Sequence, residues 1–107
     1  MKTISASELA AWLADSTREP PLLLDVREPW EQQICCIGGS EPVTMAELRT
    51  RFTVPDGARP IVCLCHHGWR SAYATMFLQG QGFEDVYNLT GGIDAWARQI
   101  DPHMARY

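Results

Sequence analysis

Cys65-His66-His67-Gly68-Trp69-Arg70-Ser71 gathers a thiol, two imidazoles and a guanidinium in one short stretch. It follows the apolar run Ile61-Val62-Cys63-Leu64 and precedes a helical pattern from Ser71 to Gln81. A cysteine where a buried strand hands over to a helix can have turn amides aimed at its sulfur, with the positive end of the helix behind them. Both effects favour the thiolate over the thiol. The stretch therefore predicts an active-site loop with Cys65 as nucleophile. Arg70 adds a permanent positive charge and a planar fork suited to an oxyanion. A cation at a helix start opposes the helix dipole, and an anionic partner would offset that cost. Gly68 gives the turn a free choice of backbone angles. His66 and His67 could assist proton movement or raise the local potential, or serve the loop through their amides. Trp69 reads as a pocket wall or as an aromatic set against a neighbouring loop.

Cys63 lies inside the strand pattern, where packing is the expected role. Cys35, Cys36, Cys63, Cys65, His66 and His67 offer enough sulfur and nitrogen for zinc. None of their spacings matches the usual paired-ligand pattern with two residues between cysteines, so no metal is expected. Asp25-Val26-Arg27-Glu28 follows another apolar run. Asp25 and Arg27 are expected to tie loops together as a carboxylate–guanidinium pair, with a supporting role for the cysteine loop. Direct proton transfer by Asp25 is the alternative.

The elements that must position these groups can be read from local patterns. Thr3-Ile4 predicts a short edge strand. Ser5 and Glu8 have capping-box spacing before a helix that carries Leu9, Trp12 and Leu13. Pro21 to Val26 predicts a strand buried on both faces, as in a parallel sheet. A loop and short helix are expected over Arg27 to Gln33, then a short strand over Ile34-Cys35-Cys36-Ile37, ended by Gly38-Gly39. Thr44 is expected to cap a helix from Met45 to Arg51. Val54-Pro55-Asp56-Gly57 predicts a turn. Ile61 to Cys65 is the second strong strand. Ser71 to Gln81 is a helix with Gly82 just beyond its end. Val86 to Leu89 is a last strand, and Gly91-Gly92 opens a helix over Ile93 to Gln99 that Pro102 ends. Strands alternating with helices predict an α/β domain with a mainly parallel sheet. Ligands in such sheets sit beyond the carboxyl ends of the strands, where both Asp25 and Cys65 fall.

At 107 residues the chain is expected to form one domain over 1–107. Its 46% hydrophobic and 21% charged composition is that of an ordinary globular protein. A net charge of -4 argues against nucleic acid or an anionic membrane as the main partner. Met1 to Ser5 lacks a signal-peptide core, and no apolar run could span a bilayer, so a cytoplasmic location is expected. Four cysteines in such a chain are expected to be mostly reduced. Tyr107 hints that the polar tail docks back on the body.

Four stretches together resemble a single-domain rhodanese, a sulfurtransferase module. They are Leu24-Asp25-Val26-Arg27-Glu28-Pro29-Trp30-Glu31, the Cys65 to Ser71 loop, Gly82-Phe83-Glu84-Asp85-Val86-Tyr87-Asn88-Leu89, and Gly91-Gly92-Ile93-Asp94-Ala95-Trp96. The resemblance implies a three-layer α/β/α fold around a central, mainly parallel sheet of about five strands. It implies that Cys65 takes the outer sulfur of a donor such as thiosulfate and becomes a persulfide. An acceptor (cyanide, a thiol or a protein cysteine) then removes that sulfur, with ping-pong kinetics. Amides from His66 to Ser71 would cradle the persulfide, and Arg70 would bind the donor's sulfonate. No organic cofactor or metal is implied. Four residues separate Cys65 from Arg70, where the related dual-specificity and tyrosine phosphatases have five. The shorter ring suits one sulfur atom and the longer one a tetrahedral phosphate.

The chain departs from the family pattern at Cys36-Ile37-Gly38-Gly39, where many members have His-Ile-Pro-Gly. The loop loses an imidazole and a rigid ring, and it gains thiols at Cys35 and Cys36. Either thiol could accept or resolve the persulfide, or simply fill space. The alternatives to an enzyme moving sulfane sulfur are a persulfide carrier for a partner protein and a phosphatase or arsenate-reducing enzyme.

Overall fold

A computed structural model describes residues 1–51 and 59–107. Five strands, β1 (Lys2–Ile4), β2 (Leu22–Asp25), β3 (Glu41–Pro42), β4 (Ile61–Leu64) and β5 (Val86–Leu89), form one sheet in the order β1-β5-β4-β2-β3. Every pairing is parallel. The helices are α1 (Ala6–Ala14), α2 (Pro29–Ile34), α3 (Met45–Arg51), α4 (Trp69–Gly80) and α5 (Gly92–Gln99). The expected α/β architecture with five parallel strands is observed. The predicted turn at 54–57 lies outside the described residues.

Alternating side chains of the central strands feed two cores. Leu23, Val62, Leu64 and Leu89 pack with Leu9 and Trp12 of α1 and Ile93 and Trp96 of α5. Leu22, Leu24, Ile61, Cys63 and Val86 pack on the opposite face with Leu48 of α3 and Ala74 and Leu78 of α4. Helices thus cover both faces, which is why β2 and β4 read as unbroken apolar runs. Burial pushes the Cys63 thiol up to about 12, so this sulfur stays protonated and inert.

Local chemistry sets the helix ends. The Ser5 hydroxyl accepts the Glu8 amide at 3.1 Å, and the Glu8 carboxylate accepts the Ser5 amide at 2.9 Å. Thr44 and Glu47 make the same reciprocal pair before α3. At the end of α4, Gly82 donates to Gln79 and Phe83 to Leu78, both at 3.1 Å, closing the helix as its C-terminal signal predicted.

One expectation fails. Ile34 ends α2 and residues 35–37 are not a strand; the third strand is Glu41–Pro42, at the sheet edge. The Cys35 carbonyl accepts Arg27 Nη2 at 2.7 Å, so this backbone serves a buried guanidinium rather than a ladder. Proline is tolerated at the edge because an edge strand leaves one row of amides unpaired. Helix α4 also starts at Trp69, two residues before the predicted Ser71.

Candidate active site

Parallel pairing places Asp25 beside Leu64, one residue before Cys65. The Cys65 Sγ accepts the Gly68 amide at 3.1 Å and the Ser71 amide at 3.4 Å. Ser71 Oγ lies 3.3 Å from the same sulfur. Cys65 is 1% exposed, so the sulfur forms the floor of the loop.

The loop's peptide planes are set by its neighbours. Amides at the start of α5 hold two loop carbonyls: Ile93 donates to Cys65 at 2.8 Å and Asp94 to His66 at 3.0 Å. The trans peptide then turns the following amides, those of His66 and His67, away from α5. This approach requires glycine at 92, where a Cβ would stand 2.5 Å from both carbonyl oxygens. Gly68 has φ +106°, a left-handed conformation that lets the chain turn into α4. Its carbonyl accepts the Ala72 amide and Asn88 Nδ2, both at 3.1 Å. The Ser71 hydroxyl donates to Asn88 Oδ1 at 2.6 Å, which fixes its oxygen beside the sulfur. Helix geometry leaves the Trp69 and Arg70 amides without an intrahelical acceptor, so the loop retains donors beyond those on Sγ.

Arg70 is engaged inside the protein. Its Nη1 and Nη2 donate to Glu31 Oε1 and Oε2 at 2.6 and 2.8 Å. The Arg70 side chain is 39% exposed and that of Glu31 4%. The Tyr107 hydroxyl donates to Glu31 Oε2 at 2.7 Å and accepts Arg27 Nη1 at 3.0 Å. Arg27 is fully buried and directs Nε and Nη2 at the Asp25 carboxylate, at 2.9 and 2.7 Å. Its remaining N–H groups reach the carbonyls of Glu31 and Cys35 and the Tyr107 hydroxyl, so all five donors are used. Burial opposes the Arg27 charge, but the contacts to Asp25 and Tyr107 outweigh it and hold the group above its ordinary range.

This strand-end cysteine under a glycine-pinned turn coincides with a known domain pattern. The family model of the rhodanese-like domain matches residues 5–99. The chain belongs to the rhodanese-like domain family. It is 37% identical to the thiosulfate sulfurtransferase GlpE of Pseudoalteromonas translucida over 89 residues, covering 83% of this chain and 85% of that one. It is 38% identical to the probable adenylyltransferase/sulfurtransferase MoeZ of Mycobacterium tuberculosis, covering 98% of this chain but only 27% of MoeZ. The crystal structure of a rhodanese-related protein from Thermoplasma volcanium superposes with a TM-score of 0.82 at 29% identity, covering 94% of each chain.

The other residues singled out in the rhodanese-like loop occupy its rim. His66 stacks on His67 at 3.9 Å and on Tyr107 at 3.8 Å between centroids. Burial and the adjacent His67 lower the His66 pKa, favouring its neutral form. Trp69 is 80% exposed and Cys36 is exposed, whereas Cys35 is half-buried against the α1/α5 core. His66, His67 and Asp94 could bring ligand atoms within 4.8 Å of one another, but Asp94 also pairs with Arg98 and Arg106. Among the described residues no helix is long and apolar enough to cross a membrane.

Sequence reasoning assigned no role to Glu31 or Asn88 and saw in Tyr107 only a docking tail. The Arg70 guanidinium holds the Glu31 carboxyl down to about 2, against its burial, with Tyr107 and the Glu28 amide assisting. A depressed carboxyl stabilises the fold above its unfolded pKa, and that contribution is lost as pH falls through the folded value. Glu31→Gln is therefore expected to lower stability by roughly 2 kcal/mol at neutral pH, allowing for the solvent that reaches Arg70. The difference from the parent should shrink between about pH 5 and pH 2. Urea midpoints measured across that range test this; a gap constant with pH contradicts it.

Proposed function

We propose that the chain is a sulfurtransferase that moves sulfane sulfur from thiosulfate or a related donor to a thiophilic acceptor through a Cys65 persulfide. The observation that carries this reading is the grip on Cys65 Sγ by the Gly68 and Ser71 amides at the start of α4. Those donors match an anionic sulfur. A second sulfur bonded about 2 Å farther out would meet the remaining helix-start amides.

In the first half-reaction the Cys65 thiolate attacks the outer sulfur of thiosulfate. The Cys65 S–S bond forms, the donor's S–S bond breaks, and its electron pair leaves with sulfite. In the second, cyanide or a thiolate attacks the outer sulfur of the persulfide and restores the Cys65 thiolate. Charge balances in both halves, and no metal or organic cofactor takes part. His66, His67, Gly68, Trp69, Arg70 and Ser71 line the approach, while Asp25 and Arg27 support it through Tyr107 and Glu31. A nucleophile 1% exposed favours a donor that presents one atom end-on over a phosphate ester. The loop of four residues between Cys65 and Arg70 points the same way.

Incubation with thiosulfate followed by intact-mass measurement tests the reading. A gain of one sulfur, absent in Cys65→Ser, is expected. Turnover with cyanide or a thiol then separates an enzyme from a carrier that only stores sulfur for a partner. No gain from any sulfane donor rejects both.

A further inference from the structure

The end-on edge of Arg70, Nη1 with Nη2, that an oxyanionic donor would use is already filled. Glu31 Oε1 accepts Arg70 Nη1 and the Glu28 amide, and Oε2 accepts Arg70 Nη2 and the Tyr107 hydroxyl. Four donors therefore hold one buried carboxylate on the guanidinium. A sulfonate on the remaining Nε edge would meet a cation that Glu31 already neutralises, and one making the end-on two-point contact would need the same nitrogens. Its arrival would strip Glu31 of its cation while leaving that carboxylate buried, an arrangement that strongly opposes exchange. The pair is also neutral as a unit, so Arg70 attracts an approaching dianion weakly.

The carboxylate is held from several sides. Tyr107 reaches Glu31 from the C-terminal tail, receives Arg27 Nη1, stacks on His66 and meets Trp30 edge-on at 5.9 Å. Burial pushes the Tyr107 phenol up to about 12, and the adjacent Glu31 adds to this while Arg27 opposes it. The phenol thus remains a donor to Glu31 across the neutral range.

A persulfide, R–S–S⁻, makes no claim on this fork. Its outer sulfur goes to Cys65, and its leaving group is a thiolate rather than sulfite. We propose that Glu31 is a specificity-determining residue that withholds Arg70 from oxyanionic donors, so that the preferred sulfur donor is a persulfide. The proposal rests on the sulfur-transfer reading of Cys65 given above. In the step it describes, the Cys65 thiolate attacks the outer sulfur, the new S–S bond forms, and the R–S bond pair departs as RS⁻. Two negative charges stand on each side.

The test compares rates of Cys65 loading, read by intact mass, from thiosulfate and from the persulfide of 2-mercaptoethanol, whose R group is uncharged. Cys65→Ser supplies the background from other thiols. The parent should load faster from the persulfide. In Glu31→Gln the thiosulfate-to-persulfide rate ratio should rise about tenfold, the factor expected for removing one charge-assisted competitor. Tyr107→Phe, which loosens Glu31 without discharging it, should raise the ratio by a smaller factor. It also carries the test if Glu31→Gln does not fold. A parent with equal rates from the two donors, or a ratio that does not rise in the folded variants, overturns the proposal while leaving sulfur transfer standing. A parent that loads from neither donor instead rejects the reading of Cys65 itself.

Discussion

Replacing Cys65 with alanine is expected to reduce sulfur transfer by at least about a thousandfold, because the covalent intermediate has no other seat. The loss should appear with every donor and acceptor, which separates it from changes in donor selection. Fold stability should change much less, since Cys65 is a small side chain at the end of β4 and its backbone contacts to α5 survive. Cys65→Ser is the sharper control. It keeps an atom for Gly68 and Ser71 to contact, but an alkoxide is far harder to form than a thiolate. Steady-state turnover with cyanide and with a thiol, beside thermal melts, gives the comparison. Activity retained in a folded Cys65→Ala protein would move the nucleophile to another thiol, and exposed Cys36 would be the first to test.

The parts of this molecule that were legible in its sequence are those whose causes lie within a few residues. Ser5 and Glu8 cap α1 across a separation of three, and Gly82 closes α4 within one turn. The β2 and β4 runs are legible because burial on both faces removes polar alternation. The edge strand Glu41–Pro42 has no such signature, being two exposed residues paired to β2 on one side. Ile34 to Ile37 misleads because its apolar types suit a strand, while the buried Arg27 claims the Cys35 carbonyl. The same division runs through the candidate site. Cys65, Gly68 and Ser71 announce themselves by adjacency. Glu31 reaches Arg70 across 39 positions and Tyr107 reaches Glu31 across 76, distances over which no local pattern operates. Arg70 looked free to bind a donor because its carboxylate partner is contributed by another helix.

Asp25→Asn is expected to destabilise the fold by about 3 kcal/mol or more, through Arg27 rather than through Cys65. Asp25 is 1% exposed and carries the only carboxylate that the described residues place on the Arg27 fork. Asparagine retains one acceptor but turns an amide donor toward a guanidinium that remains charged. The cost is that of a buried cation without its counterion, which exceeds the net worth of the original pair. A paired replacement distinguishes these quantities. Removing both charges, in Asp25→Leu with Arg27→Leu, should recover part of the loss despite deleting the contacts to Cys35 and Tyr107. Under conditions where Asp25→Asn remains folded, Cys65 should still take up sulfur, because Gly68, Ser71 and the α5 amides that shape the loop are untouched. Urea midpoints measured beside Cys65 loading rates decide the matter. Unchanged midpoints with a large loss of loading would place Asp25 in the chemistry, and a double variant less stable than the single one would show that the pair stabilises by more than mutual charge compensation.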